Sequence, residues 1–494
     1  MTRINIALAQ FAPSLADIAA NLATIRQLRA QAAAAGADLL VLPELALTGP
    51  GPFERLPGFV QAALLAESAR ALAELQADSA AGGPALLVGL PHAEPGQARP
   101  FSALALLHRG ELLGWRARVA GDGRDAWFIP GPVPGPIGFP VEGQPPIRLG
   151  VLSGQDLAGP DIAEALAESG AEILVAPSAL PFATGGFDRR LQQAVHRVTE
   201  TGLPLVQVNL LGGRGRQVFE GMSFALDDAR RLAALAPGFV QDLTVTRWER
   251  PDDAPLASVE AARRTPPLDE MAALHQALVL ALSDRLQGSG QAGVVVDLDE
   301  GPAAPLAAAL AVDALGAARV RALASSREAA ALATVLGIAA DPLALDAALP
   351  PFLEGLPARQ VAGLAAQALA RRTGALHLCG LDRTSLALGA AGPAESFALL
   401  GDLDLGSVRA LASWRNARPG GPALPPTSLE PLPGEAATEA ILHGLLDLQL
   451  DPAALEARGF EAARVAEIQE RLVRLAARRR CRPLVVRVRP PVPD

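Results

Sequence analysis

The chain has 494 residues, which is long for a single hydrophobic core and predicts two domains of roughly 200 to 250 residues each. Half of the residues are hydrophobic and 19% are charged, a balance that supports large buried cores and argues against disorder. The formal net charge of -9 gives no general positive field, so we expect no nucleic-acid partner.

The apolar segments are all interrupted by charges or glycines before they reach about 18 residues, so no membrane association is expected. The first residues alternate like a strand rather than like a signal peptide, which favours a cytoplasmic location. The two cysteines, Cys379 and Cys481, cannot form a disulfide framework, and no Cys/His spacing predicts a metal site.

The sequence contains no lysine and no tyrosine, so all 43 basic residues are arginine. Compositional bias is one explanation of this usage. Its chemical consequence is that none of these arginines can replace a lysine that must release a proton, because guanidinium stays charged.

Strands and helices alternate along the first half of the chain. A strand at the N-terminus is followed by apolar residues at helical spacing from Leu15 to Leu28, behind Ser14 as a candidate N-cap. The same reasoning predicts the strands 38–44, 85–89, 147–152 and 172–176, the helices 67–75 and 162–169, and a hairpin over 101–115. This order predicts a layered α/β domain over residues 1–246.

A segment rich in Pro, Asp, Arg and Ala, residues 247–267, is the expected linker. Beyond it, a helix over 271–286, a strand over 294–298 and an Ala/Leu helix ending at Leu315 predict a second, parallel α/β domain over residues 268–494. The pair His377 and Cys379, two apart on a predicted strand, is expected to be ordinary core.

Four segments of the first domain resemble the nitrilase superfamily, in the form of the glutaminase domain of glutamine-dependent NAD synthetases. They are 40–49 (LVLPELALTG), 110–113, 149–152, and 208–213 with 218–221 (VNLLGG and VFEG). The resemblance implies an αββα sandwich and an amide-hydrolysing triad of Glu, Lys and Cys. In that triad the thiolate attacks, the glutamate moves the proton and the lysine stabilises the oxyanion.

Only the first member of this triad is present. Glu44 matches the glutamate, whereas Arg118 falls at or near the place of the lysine and Gly154 takes the place of the nucleophilic cysteine. Ser153 is one residue away, but we expect it to lie on a strand with its side chain turned to the opposite face. Glu44 is therefore expected to be a solvated or salt-bridged carboxylate rather than a general base.

Residues 293–316 resemble the strand, loop and helix that open the synthetase domain of the same family, a Rossmann-like fold of the adenine nucleotide α-hydrolase type. The family's Ser-Gly-Gly-x-Asp-Ser loop implies sites for ATP, Mg²⁺ and deamido-NAD. Here those places hold Asp299, Glu300, Gly301, Pro302, Ala303 and Ala304. Two carboxylates replace an anion-binding loop and Ala303 replaces the metal-binding acid, so we expect no retained cofactor. Asp299 and Glu300 instead suit a helix N-terminus.

Two later segments also depart from the family. Its Gly-Asn-Lys-Ser-Glu series falls on residues 381–385 (LDRTS) without an identity, and Leu405 takes the place of a nucleotide-contacting lysine.

The sequence therefore predicts a catalytically inactive paralogue with a regulatory, scaffolding or ligand-sensing role in NAD metabolism. We expect a homo-oligomer, with an active NAD synthetase as a further candidate partner. The alternative is an active glutamine-hydrolysing synthetase that makes NAD from deamido-NAD, ATP and glutamine. A third hypothesis, a new reaction that uses Glu44 and Asp156, has no nucleophile among the matched positions.

Overall fold

A computed structural model describes most of the chain, and the chain divides into two compact units. The first unit comprises Met1–Arg214 and Phe219–Leu268, and the second comprises Gly215–Val218 and Asp269–Asp494. The described residues are 2–51, 53–97, 99–121, 127–250, 256–260, 262–298, 302–343, 358–390, 392–393, 395–418, 424–425, 434–476 and 483–490.

A seven-stranded sheet in the order β15-β14-β1-β2-β3-β4-β5 forms one layer of the first unit. Its central strands β1, β2 and β3 are parallel, and the strands on either side are antiparallel to them. The strands are β1 (Thr2–Gln10), β2 (Leu39–Val41), β3 (Ala85–His92), β4 (Phe101–His108), β5 (Glu111–Ala117), β14 (Asp242–Arg250) and β15 (Ala257–Glu260).

A six-stranded sheet in the order β13-β12-β9-β8-β7-β6 forms the second layer. Its strands β7, β8 and β9 are parallel, so their carboxyl ends lie at one edge. The strands are β6 (Ile137–Val141), β7 (Gln144–Val151), β8 (Ile173–Ser178), β9 (Leu205–Asn209), β12 (Phe224–Leu226) and β13 (Leu232–Leu235); a separate hairpin pairs β10 (Leu211–Arg214) with β11 (Gln217–Glu220).

The two sheets face each other across a dry core and are covered by helices on their outer faces. Apolar side chains of both sheets, including Ile6, Val41, Val151 and Val206, form this central core. The helices that cover the first sheet are α1 (Ile18–Ala34) and α2 (Gly58–Ser79), and those that cover the second are α3 (Asp161–Glu168) and α4 (Gly186–Thr201). Because the central strands are buried on both faces, they read as continuous apolar runs.

The second unit is built on one parallel sheet in the order β18-β17-β16-β19-β20-β21. The strands are β16 (Val294–Leu298), β17 (Val320–Ala324), β18 (Ala339–Pro342), β19 (Leu376–Leu378), β20 (Phe397–Ala398) and β21 (Leu484–Val485). The helices are α5 (Glu270–Ser289), α6 (Ala303–Leu315), α7 (Arg327–Val335), α8 (Ala358–Thr373), α9 (Arg383–Ala387), α10 (Leu405–Asn416), α11 (Glu435–Leu446), α12 (Pro452–Ala457) and α13 (Ala462–Ala476).

The α/β class, the αββα sandwich and the parallel second unit agree with the fold predicted from sequence. Local details differ from the prediction. Helix α1 is capped by Asp17, whose side chain accepts from the Ala20 amide, rather than by Ser14. Strand β14 extends to Arg250 and β15 follows it, so part of the segment expected to be a linker lies in the first sheet. In the part of the chain that the structure describes, no helix is long and apolar enough to cross a membrane.

Candidate active site

Glu44 lies just beyond β2 and is 1% exposed, so of the two states expected from the sequence it adopts the salt-bridged one and not the solvated one. Its Oε1 accepts from Ser102 Oγ at 2.6 Å, and its Oε2 accepts from Ser153 Oγ at 2.9 Å. Arg118 Nη1 lies 3.3 Å from the same Oε1. Two hydroxyls and one guanidinium therefore compensate this buried charge.

The backbone around Glu44 is tightly constrained. Leu45 has a φ of 56°, a left-handed conformation that is uncommon for residues other than glycine. A Cβ on Gly89 of the neighbouring strand would lie 2.5 Å from the Leu45 nitrogen and 2.8 Å from the Glu44 carbonyl carbon. The close approach of β3 therefore requires glycine at position 89 and fixes the turn that carries the carboxylate.

Arg118 follows β5 and is 8% exposed. Its amide donates to the carbonyl of Ser102 at 2.9 Å, which continues the strand pairing and aims the side chain at Glu44. The guanidinium also lies over the ring of Phe128, 5.4 Å from its centroid. The residue expected at the place of the lysine thus reaches the site, but as a paired cation held between a carboxylate and an aromatic ring.

Gly154 is in the position expected for the nucleophile, at the start of a short 3₁₀ helix formed by Gly154–Ala158. A Cβ on this residue would lie 2.0 Å from Ser178 Oγ and 2.6 Å from Ser178 Cβ. The Ser178 hydroxyl is fully buried at the end of β8 and donates to the Ala176 carbonyl at 2.9 Å. The space that a side chain at position 154 would need is therefore already filled.

Ser153 does not lie on a strand, because β7 ends at Val151. It is the N-cap of the 3₁₀ helix, and its backbone turn brings the hydroxyl to Glu44. The expectation that its side chain points away from the site is therefore wrong. The assumption of strand alternation failed because the chain leaves the sheet two residues before Ser153.

Asp156 is the buried anchor of this turn. Its Oδ1 accepts from the amides of Val119 and Ala120, at 3.0 and 2.6 Å, and its Oδ2 accepts from the amide of Ser153 at 3.0 Å. Burial raises the pKa of Asp156 to about 6, and the three backbone hydrogen bonds only partly oppose this effect. Asp156 therefore ties the segment after β5 to the 3₁₀ helix and acts on the backbone rather than on Glu44.

The expected cofactor loop of the second unit is described only from Pro302 onward, and Asp299, Glu300 and Gly301 lie outside the described residues. Ala303 and Ala304 begin α6 and are 3% and 0% exposed. A Cβ on Gly380 would come within 2.4 Å of the Ala304 Cβ, so these two backbones pack closely. Ala303 has no side-chain oxygen that could bind a metal ion.

Residues 381–385, which match the place of the family's Gly-Asn-Lys-Ser-Glu series, form hydrogen bonds within the second unit. Asp382 caps α9 through the amide of Ser385 at 2.8 Å. Glu439 accepts from the Thr384 hydroxyl and, at 3.4 Å, from the amide of Leu405 at the start of α10. Internal hydrogen bonds thus occupy the polar groups of these segments.

His377 lies on β19 and Cys379 directly follows this strand; both are buried, in agreement with the core position expected from sequence. His377 Nδ1 is hydrogen-bonded to Ser396 Oγ at 2.6 Å, and its Nε2 lies 3.5 Å from Asp297 Oδ1. Burial raises the pKa of the Cys379 thiol, which disfavours the thiolate. Among the described residues, no cluster of three or more His, Cys, Asp and Glu side chains has the arrangement of a metal site.

Sequence reasoning missed Ser102 and Ser178, which complete the first cluster. Neither belongs to a recognisable motif. Ser178 offered one general signal, since it ends a buried parallel strand, where side chains of α/β proteins converge.

Comparison with known proteins identifies relatives along nearly the whole chain. The carbon-nitrogen hydrolase family profile matches residues 5–248. The glutamine-dependent NAD(+) synthetase of Rhodobacter capsulatus is 30% identical, with 95% of this chain and 93% of that protein covered. The enzyme of the same name from Synechocystis sp. is 27% identical over 94% of this chain and 92% of its own length.

A solved structure has the same fold. The glutamine-dependent NAD+ synthetase of Acinetobacter baumannii, in complex with ADP, superposes with a TM-score of 0.75 and 23% identity over 99% of this chain and 96% of its own.

Proposed function

Because the chain belongs to the family of glutamine-dependent NAD(+) synthetases, we propose that it is a catalytically inactive paralogue with a regulatory, scaffolding or ligand-sensing role in NAD metabolism. The observation that carries the proposal is the filled space at position 154. Glycine supplies no nucleophile there, and Ser178 Oγ would lie 2.0 Å from any Cβ.

The remaining residues of the first site form hydrogen bonds and an ion pair with each other. The Glu44 carboxylate already accepts from Ser102 and Ser153 and is paired with Arg118. Since Glu44 and Ser153 are each 1% exposed, an amide substrate has no direct access to the Glu44 carboxylate or to the Ser153 hydroxyl.

Family residues that survive in the first unit support the fold. The side chain of Asn209 exchanges two hydrogen bonds with the backbone of Leu180, at 2.9 and 3.1 Å. Glu220 forms a buried ion pair with Arg190 at 2.6 Å. These family residues bind loops and strands to each other. Their structural role supports the proposal that the fold is retained while the catalytic activity is not.

The second unit does not fit the ATP and Mg²⁺ that the family uses. Its described residues place buried alanines at the start of α6, where an acid and a hydroxyl would be required. We therefore derive no nucleotide-dependent step for this chain.

The proposal is tested by assaying the purified full chain for ammonia release from glutamine. A relative that is active under the same conditions serves as the positive control. We expect no release above background from the chain itself. The competing outcome is a hydrolase in which Ser153 attacks and Glu44 takes its proton, which the 2.9 Å hydrogen bond makes geometrically specific. Ammonia release that disappears in both Glu44→Ala and Ser153→Ala would overturn the proposal.

A second assay bypasses glutamine. With free ammonia, ATP and deamido-NAD supplied, we expect no pyrophosphate formation that depends on deamido-NAD. Turnover in this assay would support the alternative, an active synthetase, because only the second unit is needed for it.

A further inference from the structure

The first unit has a cavity of about 410 Å³ at the edge of the seven-stranded sheet, beside β5. Its volume falls within the usual range of small-ligand sites. The residues that line it include Glu94, Phe101, Trp115, Pro132, Val133 and Pro134.

Aromatic rings form one wall of this cavity. The half-buried ring of Trp115 packs against the rings of His92 and Phe101, at centroid distances of 4.8 and 5.6 Å. These neighbours hold the indole in place before any ligand arrives. A rigid indole wall favours flat or cationic ligands, because its face carries negative electrostatic potential.

Two charged side chains line the cavity, Glu94 and Arg116. Glu94 is exposed, and its carboxylate forms no hydrogen bond or ion pair with the described residues. Arg116 keeps its positive charge and donates to three carbonyls, those of Gly135 at 2.5 Å, Trp115 at 2.7 Å and Pro136 at 3.0 Å. Three of its five N–H donors are therefore directed to the backbone, and Glu94 is the charged group left to pair with a ligand.

His92, which packs against Trp115, adds no positive charge near the cavity. Burial lowers the pKa of His92, so the imidazole is neutral near pH 7 and does not repel a cation.

We propose that this cavity binds a guanidinium group, stacked on Trp115 and paired with Glu94. A planar guanidinium matches both an indole face and a carboxylate. Two sources carry this group: a free small molecule, and an arginine side chain of a second copy, since every basic residue of the chain is arginine.

The proposed site is separate from the Glu44 cluster. Phe101 lines the cavity, whereas the adjacent Ser102 bonds to Glu44, and neighbouring residues of a strand face opposite sides. The inference therefore does not depend on whether the chain is catalytically inactive.

The test measures binding of ethylguanidinium to the full chain at constant ionic strength, through the transverse relaxation of the ligand's methyl protons. Ethylurea, which is neutral and of similar shape, is the control ligand. We expect saturable binding of ethylguanidinium in the low-millimolar range and none of ethylurea.

Three variants test the contacts. Glu94→Gln and Trp115→Leu should each weaken binding about three- to fivefold, the range typical of an exposed ion pair or cation–π contact. Glu142→Gln, which alters a carboxylate outside the cavity, should bind like the unmodified chain. Unsaturable binding, equal binding of ethylurea, or unchanged binding by both cavity variants would overturn the proposal.

Light scattering separates the two sources. If an arginine of a second copy fills the cavity, ethylguanidinium and Glu94→Gln should both lower the molar mass. If the natural ligand is a free small molecule, the molar mass should stay constant while ethylguanidinium still binds.

Discussion

Replacing Gly154 with alanine directly tests whether Ser178 fills the place of the missing nucleophile. The new methyl group would meet Ser178 Oγ at 2.0 Å and Ser178 Cβ at 2.6 Å. Rotating the hydroxyl away removes the first contact but sacrifices its hydrogen bond to the Ala176 carbonyl. The second contact persists in every rotamer, so the backbone of β8 or of the 3₁₀ helix must shift.

The expected cost follows from these two effects. Overpacking a buried site costs about 1–3 kcal/mol, and the lost hydrogen bond adds about 1 kcal/mol. We therefore expect Gly154→Ala to lower the free energy of unfolding of the first unit by about 2–4 kcal/mol. The measurement is urea unfolding followed by tryptophan fluorescence, because three of the four tryptophans lie in this unit.

Two further variants make the result decisive. Gly159→Ala is the matched control, because a Cβ there meets no atom within 4 Å and its φ of -111° suits any residue. In the double variant Gly154→Ala/Ser178→Gly, the tightest remaining contact among the three nearest atoms is 3.3 Å, to the Ser178 Cα. The double variant should therefore lose less free energy of unfolding than the two single variants lose in sum. The reasoning is refuted if Gly154→Ala is as stable as Gly159→Ala, or if the two changes are simply additive.

Three other outcomes are expected. Arg118→Met should lower the free energy of unfolding by about 3–5 kcal/mol, because it leaves Glu44 buried without its cation, and Arg118→Met/Glu44→Gln should recover much of this loss in the same assay. Asp156 has its pKa raised by burial to about 6, so it is protonated in both states below about pH 4 and must be buried as a charge above about pH 6. Its contribution to stability should therefore fall by about 3 kcal/mol as the pH rises through this window, and Asp156→Asn should flatten the pH dependence of the urea midpoint; an unchanged slope would contradict the assignment. Light scattering at micromolar concentration should show the molar mass of a homo-oligomer, because a specific contact of more than about 1,000 Å² is stable at this concentration, and a mixture with an active synthetase should show a larger species; a monomer in both samples would exclude the proposed partners.

The layered fold could be predicted from sequence because each layer leaves a local pattern. Strands buried on both faces give continuous apolar runs, as in the strand that ends at Val41. Covering helices give the three- and four-residue spacing seen from Ile18 to Leu28, whereas Leu15 precedes the helix and is exposed. The glycine at the position where the family motif has cysteine was also readable, since this required only a match to one motif.

The contacts around the site could not be predicted from sequence, because they depend on tertiary structure. Ser178 reaches position 154 only because β7 and β8 pair in parallel, which brings together residues 24 apart in the sequence. Ser153 reaches Glu44 only because the chain leaves the sheet at Val151, a boundary that local apolar pattern does not mark. Both errors arise where tertiary geometry, rather than periodicity, decides the direction of a side chain.

The hydroxyl of Ser178 also constrains which substitutions position 154 accepts. A cysteine introduced there by itself would meet the same atoms as an alanine, so it would destabilise the fold before any thiol chemistry could contribute. Accommodating it requires a smaller residue at position 178 first, and that change alone sacrifices a buried hydrogen bond. The interaction between these two positions is thus a form of epistasis that opposes a thiol at position 154.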